Sequence, residues 1–257
     1  MEWYIYLAVV GAGFLAGFIN TIAFSGSLIT LPLLIFLGLP ANIANGTNRI
    51  AILLQGIVAT RTFKKSNQID ITRGLILAIP AVLGSIVGAQ IAVAVDEDIL
   101  RKAIGVLMVV MLIVIFVRPK RWLEGKTELT NSKLTIIQFI TFFGVGLYGG
   151  FIQAGVGIFL LAGLVLSAGF DLVKANALKN FIVLIFTIFA LVVFILNGQV
   201  EWGIGLILGI GNMLGARVAA KMAIKNGAPF VRWVLIAILI LSAIILLGIG
   251  NQIKELF

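Results

Sequence analysis

From residue 3 onward the chain is a succession of apolar runs separated by short charged or Gly/Pro-containing breaks. The runs fall at 3–24, 26–38, 41–60, 74–95, 99–117, 134–154, 157–168, 172–196, 202–220 and 230–249. Most approach the roughly 20 residues that a helix needs to cross a bilayer core. Two are too short to cross alone: Ser25 to Leu37 and Gly157 to Ala168. Each extends only about 18 Å at 1.5 Å per residue. Both are flanked by glycines, and both occupy the same place in their half of the chain. The pattern predicts an all-α integral membrane protein of about ten segments, two of them short or broken hairpin helices.

The placing of the short segments points to an internal repeat. Gly17-Phe18-Ile19-Asn20 in the first half corresponds to Gly150-Phe151-Ile152-Gln153 in the second. Gly38 and Gly169 follow the short segments. Ala44-Asn45 then matches Ala175-Asn176, and Gly84-x-x-x-Gly88-Ala89-Gln90 matches Gly211-x-x-x-Gly215-Ala216-Arg217. In this register Asn48 faces Lys179 and Arg49 faces Asn180. The expected organisation is a first repeat over 1–118, a linker over 119–133 and a second repeat over 134–257.

Loop charge orients the segments. Arg61, Lys64, Lys65 and Arg73 are expected between helices three and four. Arg118, Lys120, Arg121, Lys126 and Lys133 fall in the linker, and Lys221, Lys225 and Arg232 near the last turn. Positive loops stay in the cytoplasm, so these three face inward. Asp96-Glu97-Asp98 and Asn197-Gly198-Gln199 hold no basic residue and face outward. Equivalent loops thus fall on opposite sides. The halves are inverted, with both ends of the chain outside, as in secondary transporters. The N-terminal run lacks the positive region of a secretory signal and reads as the first membrane helix, with Trp3, Tyr4 and Tyr6 at the interface.

Composition sharpens this reading. Hydrophobic residues make up 61% of the chain and charged residues 11%, against about 25% charged in soluble domains. Cysteine and histidine are both absent, which removes disulfides, thiolate chemistry and the commonest base and metal ligand. No cofactor and no metal are expected. The net charge of +9 is read as loop charge, because no basic run is interleaved with aromatics as nucleic-acid binding requires.

Two constellations could carry chemistry. The first is the pair of hairpins, Asn20 to Ser27 (with Ser25, Gly26 and Ser27) and Gln153-Ala154-Gly155-Val156-Gly157. Broken helices meeting at mid-bilayer would present backbone N–H groups to an anion. Glycine used only for close helix packing is the competing explanation, and it suffices for Gly13-x-x-x-Gly17, Gly84-x-x-x-Gly88 and Gly205-x-x-x-Gly209. The second is polar: Asn45, Asn48 and Arg49 after the first hairpin, Asn176, Lys179 and Asn180 after the second. Arg49 lies roughly 12 Å into its helix. No Asp or Glu is placed to partner Arg49 or Lys179. Buried cations of this kind cost at least about 2.5–3.5 kcal/mol each, which makes sense if the missing anion is the substrate. Snorkelling to the headgroups is the alternative. Arg217, and Gln90 at the equivalent place, are candidates for the pathway, although Arg217 could equally snorkel. No mid-membrane Asp, Glu or His is available as a proton relay. Export of one negative charge instead gains about 2.3 kcal/mol per 100 mV of inside-negative potential.

At these residues the sequence resembles the TauE/SafE sulfite exporter family of membrane anion permeases. The resemblance rests on Gly17-Phe18, Ser25-Gly26-Ser27, Leu31-Pro32-Leu33, Gly38-Leu39 and Ala44 to Thr47. Its second copy is Gly146-x-x-Gly149-Gly150-Phe151-x-x-x-Gly155-x-Gly157 with Ala175-Asn176, and the Gly211 to Ala219 motif completes it. It covers nearly the whole chain. It implies export of sulfite, a related sulfur oxyanion or an organosulfonate from the cytoplasm through the inner membrane.

The leading expectation is therefore an alternating-access anion exporter whose two helix bundles rock about a shared site. A passive anion channel of the same architecture would suit the hairpins too. A membrane enzyme lacks a nucleophile, base or metal ligand at depth. The partners on this reading are a small anionic substrate and the lipid bilayer, with a homodimer left open and no nucleic acid.

Overall fold

The computed structural model describes residues 3–22, 26–104, 106 and 134–246, and all regular structure among them is helical. The elements are α1 (Trp3–Ile22), α2 (Ser27–Phe36), α3 (Ala41–Lys65), α4 (Ile71–Ala94), α5 (from 97), α6 (Ile136–Phe151), α7 (Val156–Ala162), α8 (Leu172–Leu196) and α9 (Trp202–Leu246). A single π-helical stretch, Gly163–Ser167, extends α7. Ser25, the end of segment 99–117, the linker 119–133 with its basic residues and the tail from 247 lie outside the described residues.

Local chemistry sets the helix ends. The acids serve as N-caps, whose carboxylates accept first-turn N–H groups that have no intrahelical acceptor. Asp70 accepts from Arg73 N at 2.9 Å, Asp171 from Val173 N and Lys174 N at 3.0 Å each, and Glu201 from Ile204 N at 2.6 Å. Thr135 and Gln138 form a reciprocal capping box at the start of α6. The repeat-matched glycines Gly38 and Gly169 have φ of 91° and 73°. This left-handed conformation lets the chain leave a helix and is open chiefly to glycine.

Two boundary expectations need correction. Arg61, Lys64 and Lys65 are not in a loop but on the last turns of α3, and Arg73 is buried in the first turn of α4 near Gln138. The run 202–220 continues through Lys221 and Lys225, whose side chains are exposed and do not interrupt the helix. The break comes at Gly227 (φ 68°, ψ −164°), just before Pro229.

Among the described residues, four helical stretches are long and apolar enough to span a membrane: α1, α4, α8 and Trp202–Val231 of α9. Their outward faces carry large apolar side chains such as Leu7, Leu15, Ile79, Leu83 and Ile210, each about half exposed. A soluble protein would not display such continuous apolar stripes. The chain is a multi-pass membrane protein.

Small residues fix the helix pairing. A methyl added at Gly13 or Gly17 would collide with the backbone of Leu208 or Asn212, and one at Gly211 or Gly215 with Val10 or Phe14. Positions rise together, so α1 and α9 run parallel in backbone contact. The same holds for α4 and α6. Gly84 and Gly88 lie on Phe143 and Leu147, and Gly146 and Gly150 on Ala81 and Ser85. These small-xxx-small seams are the most extensive helix interfaces. Gly205 and Gly209 accept side chains of α3, namely Ile50 and Leu54. Helices α3 and α8 pack against each other in opposite senses, with Arg49 over Phe194 and Gly56 against Leu184. Residues 44–52 of α3 and 175–182 of α8 are buried on every side. They form the centre on which the hairpins rest.

Candidate functional site

Both candidate cations are buried, Arg49 at 0% and Lys179 at 2% exposure. Neither is among headgroups. Their partners include backbone carbonyls, which corrects the idea of cations balanced by substrate alone. Arg49 Nη1 donates to Gly149 O at 3.1 Å and to Gln153 Oε1 at 3.2 Å, and Nη2 donates to Gly150 O at 2.5 Å. Asn45 Nδ2 donates to Phe151 O at 2.8 Å. Together they hold the last carbonyls of α6. Lys179 Nζ donates to Asn20 O at 2.9 Å and Thr21 O at 3.2 Å, and Asn180 Nδ2 donates to Thr21 O at 3.1 Å. These are the last carbonyls of α1. A helix end carries negative partial charge and carbonyls with no intrahelical donor, so a buried cation suits it. Each broken helix is thus capped by a cation and an asparagine from the other half.

The hairpins are held from within. Gly26 N donates to Asn20 Oδ1 at 2.8 Å, and the Tyr148 hydroxyl donates to Ala154 O. Gly155 sits at φ 78° immediately before α7. Thr30 Oγ1 donates to Asn48 Oδ1 at 2.7 Å, and Asn48 Nδ2 to Ser27 Oγ at 3.3 Å, which ties α2 to α3.

Between the hairpins lies a small cavity. Its polar lining is Asn20, Ser27, Gln55, Gln153, Lys179 and Asn180, and Gly157 and Val156 contribute the first turn of α7. First-turn N–H groups have no intrahelical acceptor, so the starts of α2 and α7 bring positive partial charge to a cavity already bordered by Lys179. No Asp or Glu is buried among the described residues, and none of them cluster as metal ligands. The cavity measures about 20 Å³, room for about one water. It is too small for any larger solute in this conformation.

Several candidates lie elsewhere. Arg49 is not among the residues lining the cavity, because its guanidinium is turned to α6 and stacks over Phe194 at 4.6 Å. Asn45 and Asn48 hold the hairpin elements by the bonds above, and neither they nor Asn176 and Gly26 line the cavity. Gln90 falls on the exposed stripe of α4 with Leu83, Val87 and Ile91. The buried face of that helix is taken by its small residues. Arg217 lines an outer groove between α3 and α9, remote from the cavity lining.

The family model described as "Sulfite exporter TauE/SafE" matches residues 9–246. The chain belongs to the TauE/SafE family. Similar proteins in this family of membrane transporters include a probable membrane transporter protein (ORF9) of Sinorhizobium sp, 30% identical over 92% of this chain and 90% of that protein. A probable membrane transporter protein of Haemophilus influenzae is 29% identical, covering 86% of each chain. Escherichia coli YfcA, also named a probable membrane transporter protein, is 30% identical over 85% of this chain and 80% of its own. No solved structure matches.

Within this TauE/SafE chain, the sequence reading missed Gln55 and Asn212. Gln55 Oε1 accepts from Asn20 Nδ2 at 3.3 Å and from Asn212 Nδ2 at 3.4 Å, joining the first hairpin to α3 and α9. Thr187 was missed as well; its hydroxyl accepts from Gln153 Nε2 at 2.7 Å. A signal existed. Asn48, Ile52 and Gln55 share one face of α3 by helical spacing, and Gln55 and Thr187 are polar residues inside otherwise apolar runs.

Proposed function

We propose that this protein exports a small anion, sulfite or a related sulfur oxyanion or organosulfonate, across the cytoplasmic (inner) membrane, driven by the membrane potential. The observation that carries the reading is the cavity. Two helix starts and the Lys179 ammonium border one small space with a polar lining, and no buried carboxylate opposes them among the described residues. Such a space favours negative charge. Lys179, Asn180, Asn20, Gln55 and Gln153 bind the oxyanion through side chains, and Ser27 and Gly157 through the helix starts. Charge-assisted hydrogen bonds of this kind are about twice as strong as neutral ones.

The transport cycle is alternating access in a fold of two inverted five-segment halves. Support comes from helix directions. Helices α1, α3 and α9 run one way and α4, α6 and α8 the other, with α3 and α8 antiparallel at the centre. The seams α1–α9 and α4–α6 each join one half to the other, so the moving bodies are these mixed triplets. A cavity with room for about one water fits a cycle in which the site opens only when these bodies move. An inside-negative potential drives anion exit without a proton site, at about 2.3 kcal/mol per charge per 100 mV.

The test is flux of labelled sulfite in proteoliposomes under an imposed potential. Saturable, potential-dependent flux with counterflow is expected, reduced at least tenfold by Lys179→Met. Equal flux in wild type and Lys179→Met would remove the cavity from the mechanism.

A further inference from the structure

A second cavity lies away from the hairpins. It is a groove of about 740 Å³ between the later turns of α3 and the middle of α9. Five cations line it: Arg61 and Lys65 from α3, and Arg217, Lys221 and Lys225 from α9. No acidic residue is among the described residues that line it. The cations are exposed, and none of the five forms an ion pair with any described residue. Helical spacing sets them in two facing rows. Residues 57, 61 and 65 rise along α3 at steps of four, and 214, 217, 221 and 225 rise along α9 at steps of three and four.

The rows are not uniform along their length. The lower end of each is apolar, with Ile57 48% exposed and Leu214 52% exposed, and Val58 and Met213 beside them. From Ile57 to Lys65 the helix rises about 12 Å. The groove therefore passes from an apolar trough between Ile57 and Leu214 to a cationic mouth toward the C-terminal end of α3 and the Gly227 break of α9. A free anion would use only the mouth. A molecule that fills both parts has a phosphate at one end and a hydrocarbon chain at the other.

We propose that this groove is a binding site for an anionic glycerophospholipid. The phosphate sits among Arg61, Arg217 and Lys221, and an acyl chain lies along Ile57 and Leu214. Charge complementarity selects the lipid class. A zwitterionic lipid brings no net charge to five unopposed cations, whereas an anionic one relieves their mutual repulsion. Basic clusters at the membrane surface attract anionic lipid with about 1 kcal/mol per Lys or Arg. The site is independent of the hairpin cavity and of which solute is carried there.

The experiment uses the full-length protein in a neutral detergent. Thermal unfolding is followed with dioleoyl phosphatidylglycerol, dioleoyl phosphatidylcholine and soluble glycerol phosphate at matched concentrations. Retained lipid is counted by native mass spectrometry. Phosphatidylglycerol is expected to raise the unfolding temperature and to be retained, with neither other probe doing so. The variants Arg217→Ala and Arg217→Ala/Lys221→Ala should each lower its affinity about fivefold per cation removed. Leu214→Glu, at the exposed apolar wall, should abolish retention while leaving sulfite flux measurable. Equal stabilisation by phosphatidylcholine would overturn the charge argument. Equal stabilisation by glycerol phosphate would show a free-anion site and overturn the lipid. Titrations unchanged by all three variants would place the lipid elsewhere.

Discussion

Arg49 and Lys179 do the same task on opposite sides of the molecule. Each reaches across the midline to hold the last carbonyls of a broken helix. They differ in what remains of the side chain afterwards. Arg49 is committed: three acceptors take its Nη donors, the ring of Phe194 covers its face at 4.6 Å, and the cavity lies elsewhere. Lys179 holds α1 with a compact ammonium that also borders the cavity. A planar fork suits several fixed acceptors at once, whereas an ammonium can redirect its donors with little rearrangement. The two cations sit one position apart in the repeat register, but one is a strut and the other a strut that doubles as a ligand.

The largest test of this contrast is Arg49→Ala. It leaves the α6 carbonyls without donors in a sealed interior and should lower stability by about 3–5 kcal/mol, the usual loss when one partner of a buried charged contact is removed. Denaturant unfolding in detergent measures it, and Arg49→Lys should recover only part. Next come the seams. Gly17→Ala and Gly150→Ala each drive a methyl into the backbone of the facing helix, at Asn212 and Ser85. Overpacking of this kind costs about 1–3 kcal/mol, and similar losses at the two sites are expected if the seams are mechanical counterparts. A third change inverts the readout. Lys179→Met leaves Asn20 O without that donor and should cost about 1–3 kcal/mol in stability, less than Arg49→Ala, yet flux per folded molecule should fall about tenfold, close to 1.4 kcal/mol in the barrier. An unfolded Lys179→Met would erase the distinction between the two cations. The smallest effect belongs to Phe194→Leu. It removes the ring under Arg49 and should cost about 1 kcal/mol in stability, with flux per folded molecule unchanged.

Much of the fold was legible because lipid imposes strong rules. The run 172–196 coincides with α8, and the shortness of the segments at 26–38 and 157–168 marked the hairpins. Helix length past a charge was harder to read. Lys64, Lys65, Lys221 and Lys225 project outward from helices that continue beneath them, so charge alone gave no true boundary. The identity of the buried residues Asn48, Lys179 and Asn180 could be read, since polar groups deep in an apolar run demand a reason. The partner of Arg49 could not. A helix-end carbonyl has no side chain and leaves no mark in the sequence, so the search for a counter-charge looked only at Asp and Glu. Gln55 was passed over because a single amide in an apolar run carries less weight than a charge, although its bonds to Asn20 and Asn212 tie three helices together.

The α1–α9 seam has a consequence for biogenesis. The ribosome finishes α1 almost two hundred residues before the stretch around Leu208 to Gly215 that it packs against. Until then the notch at Gly13 and Gly17 faces lipid or a provisional neighbour. Final assembly therefore waits for the synthesis of α9, and a nascent chain halted before α9 emerges would hold an inserted but unlatched first helix.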